Sequence, residues 1–233
     1  MIDIIIGCPT RNRTWILPTW KQYVEEAVPD DWYCSYVFVV GEDDEETIEM
    51  LSSWNSTKII KVTEPEIPEE RSWGDKERFR HMAFLRNTML EYVRKQAPDL
   101  FLSLDSDILI NPKTICNLYE TVVQCNADAV GGLTYFDQMD QRTTNVASWN
   151  NKASKQGFKR IISDGVFPVD IIMGIKMMTD PAYNVDYQYH NNGEDLGWAI
   201  AASELNIYYD GRSASKHVMY KDWLDRKDKR VGY

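Results

Sequence analysis

The sequence contains no long apolar run. None of its apolar stretches approaches the ~18 residues that a membrane-spanning helix needs, and its first residues lack the features of a signal peptide. We therefore expect a protein that is neither secreted nor inserted in a membrane.

Cysteines are few, and none are paired in sequence. The four (Cys8, Cys34, Cys116 and Cys125) form no CxxC pair and have no zinc-finger spacing. We expect them to be buried reduced thiols, which indicates a cytoplasmic protein.

The sequence has fewer basic than acidic residues. The 26 lysines and arginines stand against 36 aspartates and glutamates, so the net charge is −10. Such a balance disfavours non-specific binding to nucleic acid or to an anionic membrane. The acidic residues concentrate at 42–46 and 64–70, whereas the tail 216–233 is basic.

Apolar runs alternate with helical patterns along the chain. Strands are predicted at residues 2–8, 36–40, 58–62, 100–104, 129–135 and 206–209, and helices at 17–26, 42–54, 76–96, 112–126 and 196–205. This alternation predicts an α/β protein with a mostly parallel sheet covered by helices on both faces. Residues 136–165 are polar, and a polar segment of that length is usually functional or mobile.

The segment 100–112 is the centre of the predicted sheet. An apolar run leads into Asp105-Ser106-Asp107, a second apolar run follows, and Asn-Pro ends it. A buried strand rarely ends on carboxylates, because an unpaired buried charge is costly. Residues i and i+2 of an extended chain point to the same side, so we expect Asp105 and Asp107 to face one hard cation. The segment predicts a divalent metal that holds a phosphate-bearing ligand.

Four short motifs follow one another in a recognisable order. They are Pro9 to Arg13 after the first strand, Leu85-Arg86-Asn87 on a helix, Asp105-Ser106-Asp107, and Glu194-Asp195 before a helix. The order resembles that of nucleotide-sugar glycosyltransferases with the GT-A fold, especially the family 2 type, and the resemblance runs from residue 2 to about 217. It implies a Rossmann-like sheet in a single domain, 1–233. Residues 1–110 would form the nucleotide-binding half, 111–217 the acceptor-side half, and 218–233 a basic tail.

The resemblance implies a metal cofactor, Mn²⁺ or Mg²⁺. Asp105, Asp107 and His217 match the positions of the metal ligands, and the histidine favours manganese. Asp107 is the preferred direct ligand, while Asp105 is a second ligand or a contact to ribose or sugar hydroxyls. Such an ion neutralises the diphosphate that leaves when the sugar–phosphate bond breaks.

The resemblance also implies a set of donor-binding residues. Arg86 and Asn87 would lie near the nucleotide, Thr10, Arg11 and Arg13 would hold the nucleoside, and Glu42 or Asp43 would accept a hydrogen bond from the base. The full donor-binding set is Pro9, Thr10, Arg11, Arg13, Glu42, Asp43, Arg86, Asn87, Asp105 and Ser106. UDP is the favoured nucleotide and GDP the next.

Transfer requires a base that takes the proton of the acceptor hydroxyl, and Asp195 is the candidate, with Glu194 holding the acceptor or orienting the site. A single such carboxylate implies inversion at the anomeric carbon, and a retaining enzyme of the same fold is the alternative.

The acceptor is open among a saccharide, a protein, a lipid-linked sugar and a modified nucleic-acid base. We also expect the tail, with Lys221, Arg226 and Lys227, to close over the diphosphate as a lid.

The chain departs from the family pattern at two points. Arg11 stands where the family often has an aromatic residue, and no Gln-x-x-Arg-Trp segment follows Glu-Asp, which argues against a processive synthase.

A phosphohydrolase also uses Asp-x-Asp, but earlier in the chain. A nucleotidyltransferase needs a glycine-rich first loop, and residues 9–13 contain no glycine. A non-catalytic metal-dependent sugar-binding module would leave Asp195 and Arg86 unexplained.

Overall fold

A computed structural model describes residues 1–63, 76–135, 144–161 and 163–224. The strands are β1 (Asp3–Thr10), β2 (Tyr33–Gly41), β3 (Thr57–Val62), β4 (Leu100–Leu104), β5 (Ile108–Leu109), β6 (Ala129–Thr134), β7 (Val146–Asn151), β8 (Gln156–Arg160), β9 (Val166–Pro168), β10 (Ile171–Ile172), β11 (Ile175–Met178) and β12 (Ile207–His217). The helices are α1 (Leu17–Ala27), α2 (Glu45–Ser52), α3 (Lys76–Gln96), α4 (Thr114–Cys125), α5 (Asp180–Tyr183) and α6 (Glu194–Ala201), with a short 3₁₀ helix at Lys221–Trp223.

A large central sheet organises the described residues. Its strand order is β3-β2-β1-β4-β11-β6-β12-β5, and β9 pairs with β12 at the side. The strands β3, β2, β1 and β4 are parallel, as are β6 and β12, whereas β11 runs antiparallel between β4 and β6. The prediction of an α/β protein with a mostly parallel sheet is confirmed. The sheet takes strands from both predicted halves of the chain.

Helices cover the central sheet on both faces, as predicted. Apolar residues of α1, α2 and α4 pack on one face, and those of α3, α5 and α6 on the other. Since both faces are covered, β4 is buried at every residue. This is why its sequence is a nearly continuous apolar run rather than an alternating one.

The polar segment 136–165 is more regular than the sequence suggests. Within it, β7 and β8 form an antiparallel hairpin, and β7 also pairs with β10 in a second, three-stranded sheet. Trp149 on β7 is 8% exposed and packs in a small cluster with Ile171 and Leu196. Residues 136–143 and 162 lie outside the described residues.

Two of the boundaries that differ from the prediction bear on the site. The last strand is not the short 206–209 segment but the eleven-residue β12, which continues through a bulge between Asp210 and Ala214 to His217. Small polar residues resemble a loop, but here their backbone groups pair with β6 and β5. The helix predicted to start at Leu196 starts at Glu194, so both carboxylates lie in its first turn.

The cysteines are only partly as expected. All four are free; Cys8 is buried and Cys34 and Cys125 are half-buried, but Cys116 on α4 is exposed, which corrects the prediction of four buried thiols. Among the described residues, no helix combines the length and the apolar character that crossing a membrane would require.

Candidate functional site

Asp105, Ser106 and Asp107 form a turn rather than an extended strand. β4 ends at Leu104, Ile108 N donates to Asp105 O at 3.0 Å, and β5 starts at Ile108. The expectation that both carboxylates project from one side of a strand is therefore wrong, because the closed turn sends them to different partners. Ser106 is buried, and its side chain hydrogen-bonds the Cys8 thiol.

Arg86 donates hydrogen bonds to three side chains near this turn. It lies in the buried stripe of α3 and is 3% exposed. Its guanidinium donates from Nη2 to Asp105 Oδ1 at 3.0 Å, from Nη1 to Ser103 Oγ at 3.2 Å, and from Nε to Glu194 Oε1 at 3.0 Å. Burial alone would lower the pKa of Arg86, but the carboxylates, Asp105 first, outweigh it and raise that pKa.

Asp105 and Asp107 have opposite pKa shifts. Burial raises the pKa of Asp105, with a contribution from nearby Asp107 and Asp195, although Arg86 opposes it. Burial also acts to raise the pKa of Asp107, but hydrogen bonding and charge interaction with His217, and the charge of Arg13, outweigh it and lower that pKa.

Asp107 lies between two basic side chains from distant parts of the sequence. Arg13 Nη2 donates to Asp107 Oδ2 at 3.2 Å, and His217 Nε2 lies 3.6 Å from Asp107 Oδ1. The second contact depends on the sheet, because β12 pairs antiparallel with β5 and His217 is the register partner of Ile108. Burial would lower the pKa of His217, but Asp107 outweighs it and raises that pKa.

The predicted metal ligands do not form a closed three-ligand cluster. In the described part of the chain, no three His, Cys, Asp or Glu side chains are grouped as a metal site. Asp107 and His217 nevertheless fit two positions of one cation, since an oxygen and a nitrogen donor face each other. Asp105 Oδ1 accepts a hydrogen bond from Arg86. Asp105 Oδ2 lies beside Gly174, and a Cβ atom placed on that glycine would be 3.5 Å from it.

Glu194 and Asp195 begin α6, each held by a different buried cation. Gly193 precedes them with φ +119°, a conformation that favours glycine. Glu194 accepts from Arg86, while Asp195 Oδ1 accepts from Lys176 Nζ at 3.1 Å. Burial, together with the charge of Asp195, raises the pKa of Glu194 despite the nearby Arg86.

A cavity of about 340 Å³ joins these groups. It lies at the carboxyl end of β4, where open α/β sheets bind ligands. The predicted site residues that line it are Arg86, Asp105, Asp107, Glu194, Asp195 and His217. Arg78, Phe79, Met82, Phe158, Arg160 and Met173 are among its other lining residues. The structure thus brings six of the predicted residues to one space, with Asp105 and Asp107 contributed by one element and Glu194 and Asp195 by another.

The predicted nucleoside-binding residues lie beside this cavity, at the ends of β1 and β2. Pro9 and Thr10 end β1, with Thr10 buried, and pair with Val39 and Val40 of β2. Glu42 follows β2 and its backbone N donates to Val62 O. These residues do not line the cavity described above, so their contacts to a nucleoside stay predictions.

The two loops after β1 and β2 are tied together. Arg11 Nη2 contacts Asp43 Oδ2 at 2.8 Å, and Asn12 N donates to Asp44 Oδ2 at 2.7 Å. Asp44 Oδ1 also accepts from Thr47 N, which caps α2. The acids at 42–46 predict a helix start, and Asp44 is the one that caps it; its contact with the loop after β1 is what the sequence analysis missed.

Asn87 contacts the backbone rather than the cavity. Its Nδ2 donates to Tyr187 O at 2.9 Å and its Oδ1 accepts from Tyr187 N at 2.7 Å. The side chain thus holds the segment between α5 and α6 against α3. A contact to the donor stays a prediction.

The basic tail is described only in part. Lys221 is exposed in the short 3₁₀ helix, whereas Arg226 and Lys227 lie outside the described residues. The proposed lid therefore stays a prediction.

Lys176 is the second residue that the sequence analysis missed. It is 1% exposed on β11 and contacts both Asp195 and Tyr187. The signal was present, because a single lysine inside the apolar run 175–178 is unusual for a buried strand.

The architecture is similar to that of two solved structures. The crystal structure of residues 1–349 of S. aureus TarS in complex with UDP-GlcNAc matches with a TM-score of 0.58 and 14% identity, over 100% of this chain and 61% of that one. A second crystal structure of TarS 1–349 matches with a TM-score of 0.56 and 15% identity, over 94% of this chain and 60% of that one.

The fold of this chain is therefore similar to that of the TarS structures. This chain spans about three fifths of the TarS structures that it matches. No protein-family model matches the chain, and no curated protein sequence does.

Proposed function

We propose that this protein is a glycosyltransferase of the GT-A type that uses a nucleotide-diphosphate sugar as donor, with UDP favoured. The observation that carries the proposal is the cavity of about 340 Å³, which is lined by carboxylates from two elements. Asp105 and Asp107 come from the turn after β4, and Glu194 and Asp195 from the first turn of α6. The similarity to a structure that holds UDP-GlcNAc supports the donor class.

The cavity suits a small ligand that carries both charge and apolar surface. Its volume falls in the range of ~300–1,000 Å³ that small-molecule sites occupy. Arg86 and His217 contribute positive or ionisable groups, and Phe79, Met82 and Phe158 contribute apolar surface. A sugar linked to a diphosphate would match this mixture.

The proposed donor side is the turn after β4. Arg13, 3.2 Å from Asp107, supplies a cation for the diphosphate at that turn. Asp107 and His217 would hold a Mn²⁺ or Mg²⁺ ion, with Asp105 as a third ligand or a contact to ribose. A bound ion would act as a Lewis acid that neutralises charge on the departing diphosphate.

The proposed acceptor side is the start of α6. Asp195 accepts the proton of the acceptor hydroxyl as the hydroxyl oxygen bonds to the anomeric carbon. The bond from that carbon to the diphosphate oxygen breaks, and the diphosphate leaves with the electron pair. Because attack and departure occur on opposite faces, the configuration inverts. Glu194, held by Arg86, keeps the first turn of α6 in place.

Nucleotide release in the absence of an acceptor tests this function. The protein is incubated with UDP- and GDP-sugars in Mn²⁺, in Mg²⁺ or in EDTA, and the nucleotide diphosphate released by slow hydrolysis is measured. We expect release from at least one UDP-sugar, dependent on the metal. A parallel reaction with UTP and sugar phosphates, in which the release of pyrophosphate is measured, tests the nucleotidyltransferase alternative. Failure to bind or hydrolyse any nucleotide sugar would refute the proposal.

A further inference from the structure

Lys176 is a buried cation on a central strand of the large sheet. It lies on β11 between β4 and β6, where its register partners are Ser103 and Gly131. Its neighbours Ile175, Met177 and Met178 are all 0% exposed. A lysine is almost never fully buried unless it is paired, and an apolar side chain would suit this position better for packing alone.

The Lys176 ammonium group is surrounded by partners on one face of the sheet. Nζ donates to Tyr187 OH at 3.0 Å and to Asp195 Oδ1 at 3.1 Å, and it lies 4.0 Å from the centre of the Trp198 ring. Trp198 is itself on α6, one turn after Asp195. The two oxygen acceptors and the aromatic face match the three N–H bonds of an ammonium ion.

The contact leaves half of the Asp195 carboxylate available. Oδ1 accepts from Lys176, whereas Oδ2 accepts no hydrogen bond from the residues that the structure describes. Asp195 lines the cavity, and its side chain is 14% exposed. A cavity-lining carboxylate with one oxygen held by a lysine and the other accepting no hydrogen bond from the described residues suits an oriented general base.

We propose that Lys176 is a positioning residue, which fixes the orientation of Asp195 for proton abstraction without touching the substrate. The inference rests on the proposed function, since it assigns a role within that reaction. Lys176 also supplies a positive charge that Asp195 needs, because Asp105 and Glu194 place negative charge nearby. Arg86 holds Glu194 in the parallel way, so each of two consecutive carboxylates has its own cation.

A role in stability alone makes a different prediction. A buried ion pair is often no better for stability than well-packed apolar side chains. If Lys176 only filled space and balanced charge, its removal would lower the free energy of unfolding and leave kcat of the folded enzyme near the wild-type value. If it acts through Asp195, its removal matters only while Asp195 is present. A double-mutant cycle separates the two.

The cycle uses K176M, D195N and the double variant, with release of UDP from a UDP-sugar as the measured reaction. K176M removes the ammonium group and keeps an unbranched apolar side chain of similar length. We expect kcat to fall ~10–10³-fold in K176M with donor KM changed less than ~3-fold, and to change less than ~2-fold when K176M is added to D195N. The matched control K152M removes a lysine that pairs with Asp170 away from the cavity, and it should retain wild-type kcat.

Two outcomes overturn the inference. K176M could retain wild-type kcat, or it could lower kcat by the same factor in both backgrounds. An inactive wild-type protein would refute the proposed function itself, and with it this role. If K176M does not fold, as judged by thermal unfolding and UDP binding, Y187F decides instead. Y187F removes only the hydroxyl that accepts a hydrogen bond from Lys176. We expect it to lower kcat ~2–10-fold in the wild-type background and to leave kcat unchanged in the D195N background. An equal loss in both backgrounds, or none, overturns the inference.

Discussion

Arg86 in the middle of α3 donates through Nε to Glu194 Oε1 at 3.0 Å and so joins this helix to the first turn of α6. The same guanidinium reaches Asp105 at the end of β4. One buried side chain therefore sets the separation between the proposed donor and acceptor sides of the cavity. Its removal should affect both the stability of the fold and the geometry of the site.

Replacement of Arg86 by methionine should destabilise the protein strongly. R86M leaves the Asp105 and Glu194 carboxylates without their cation in a largely buried space, a change that typically costs ~3–5 kcal/mol in the free energy of unfolding. Urea unfolding followed by circular dichroism measures it. R80M is the matched control on the same helix, because the Arg80 side chain is 53% exposed and its ion pair with Glu77 should contribute only ~0–1 kcal/mol. Equal losses in the two variants would contradict the central role of Arg86.

Replacement of Asp107 by asparagine should remove metal-dependent donor binding. The amide keeps the shape of the side chain but loses the charge that Arg13 and His217 contact. Calorimetric titration of UDP in Mn²⁺ and in EDTA should give the same weak affinity in D107N, whereas the wild type should bind more tightly with the metal. D186N alters an exposed carboxylate paired with Arg94 and should behave as wild type. Retention of the metal effect in D107N would exclude Asp107 as a ligand.

Replacement of Asp195 by asparagine should slow catalysis and spare binding. Loss of a general base lowers kcat by ~10²–10⁴-fold, while the UDP affinity and donor KM stay near wild type because Asp195 is not among the proposed donor contacts. Steady-state kinetics of UDP release and calorimetry measure the two effects. E204Q, an exposed acid beyond the end of α6, is the control. Loss of UDP binding in D195N would reassign the residue to the donor side.

Replacement of Asn87 by alanine should affect stability and not the donor. Both ends of its amide bind the Tyr187 backbone, and their loss should cost about 1–3 kcal/mol in the free energy of unfolding. T88A, which removes a hydroxyl bonded within the same helix, should have a smaller effect. Weaker UDP binding in N87A, at a temperature where the variant is folded, would instead support the donor contact that the sequence resemblance implies.

The raised pKa of Glu194 predicts a pH-dependent difference from E194Q. Burial raises this pKa above its ordinary value of 4.5, so between the unfolded and folded pKa values the native state binds more protons than the unfolded state. The free energy of unfolding must then fall as pH rises through the interval above 4.5. E194Q lacks this titration. Urea unfolding from pH 4 to 8 should show wild-type stability decreasing relative to E194Q, and a constant difference would contradict the prediction.

Elements whose local pattern and final contacts agree were predictable from the sequence. The helical periodicity gives the limits 76–96, which are those of α3. The run 100–104 coincides with β4, because a fully buried strand must be apolar throughout. Three of the four motifs also indicated residues that line the cavity, namely Arg86, Asp105, Asp107, Glu194 and Asp195, since residues after parallel strands meet at one edge of a sheet.

Elements that depend on a distant partner were not predictable in detail. The stretch 210–217 has few strand-forming residues, and it becomes strand because β6 and β5 lie beside it. The same pairing brings His217 to Asp107. The sequence of the Asp-Ser-Asp segment predicts an extended strand, but the segment closes as a turn, and the two carboxylates contact different basic residues.

By itself, the sequence determined the α/β class, the position of the central strand and the two carboxylate pairs, because hydrophobic periodicity and short motifs are local properties. Only the tertiary structure decided which cation serves which carboxylate. Arg86 is 108 residues from Glu194 and Lys176 is 19 residues from Asp195. These pairs form because strands and helices from separate parts of the chain pack together, and burial then requires every charge to have a partner.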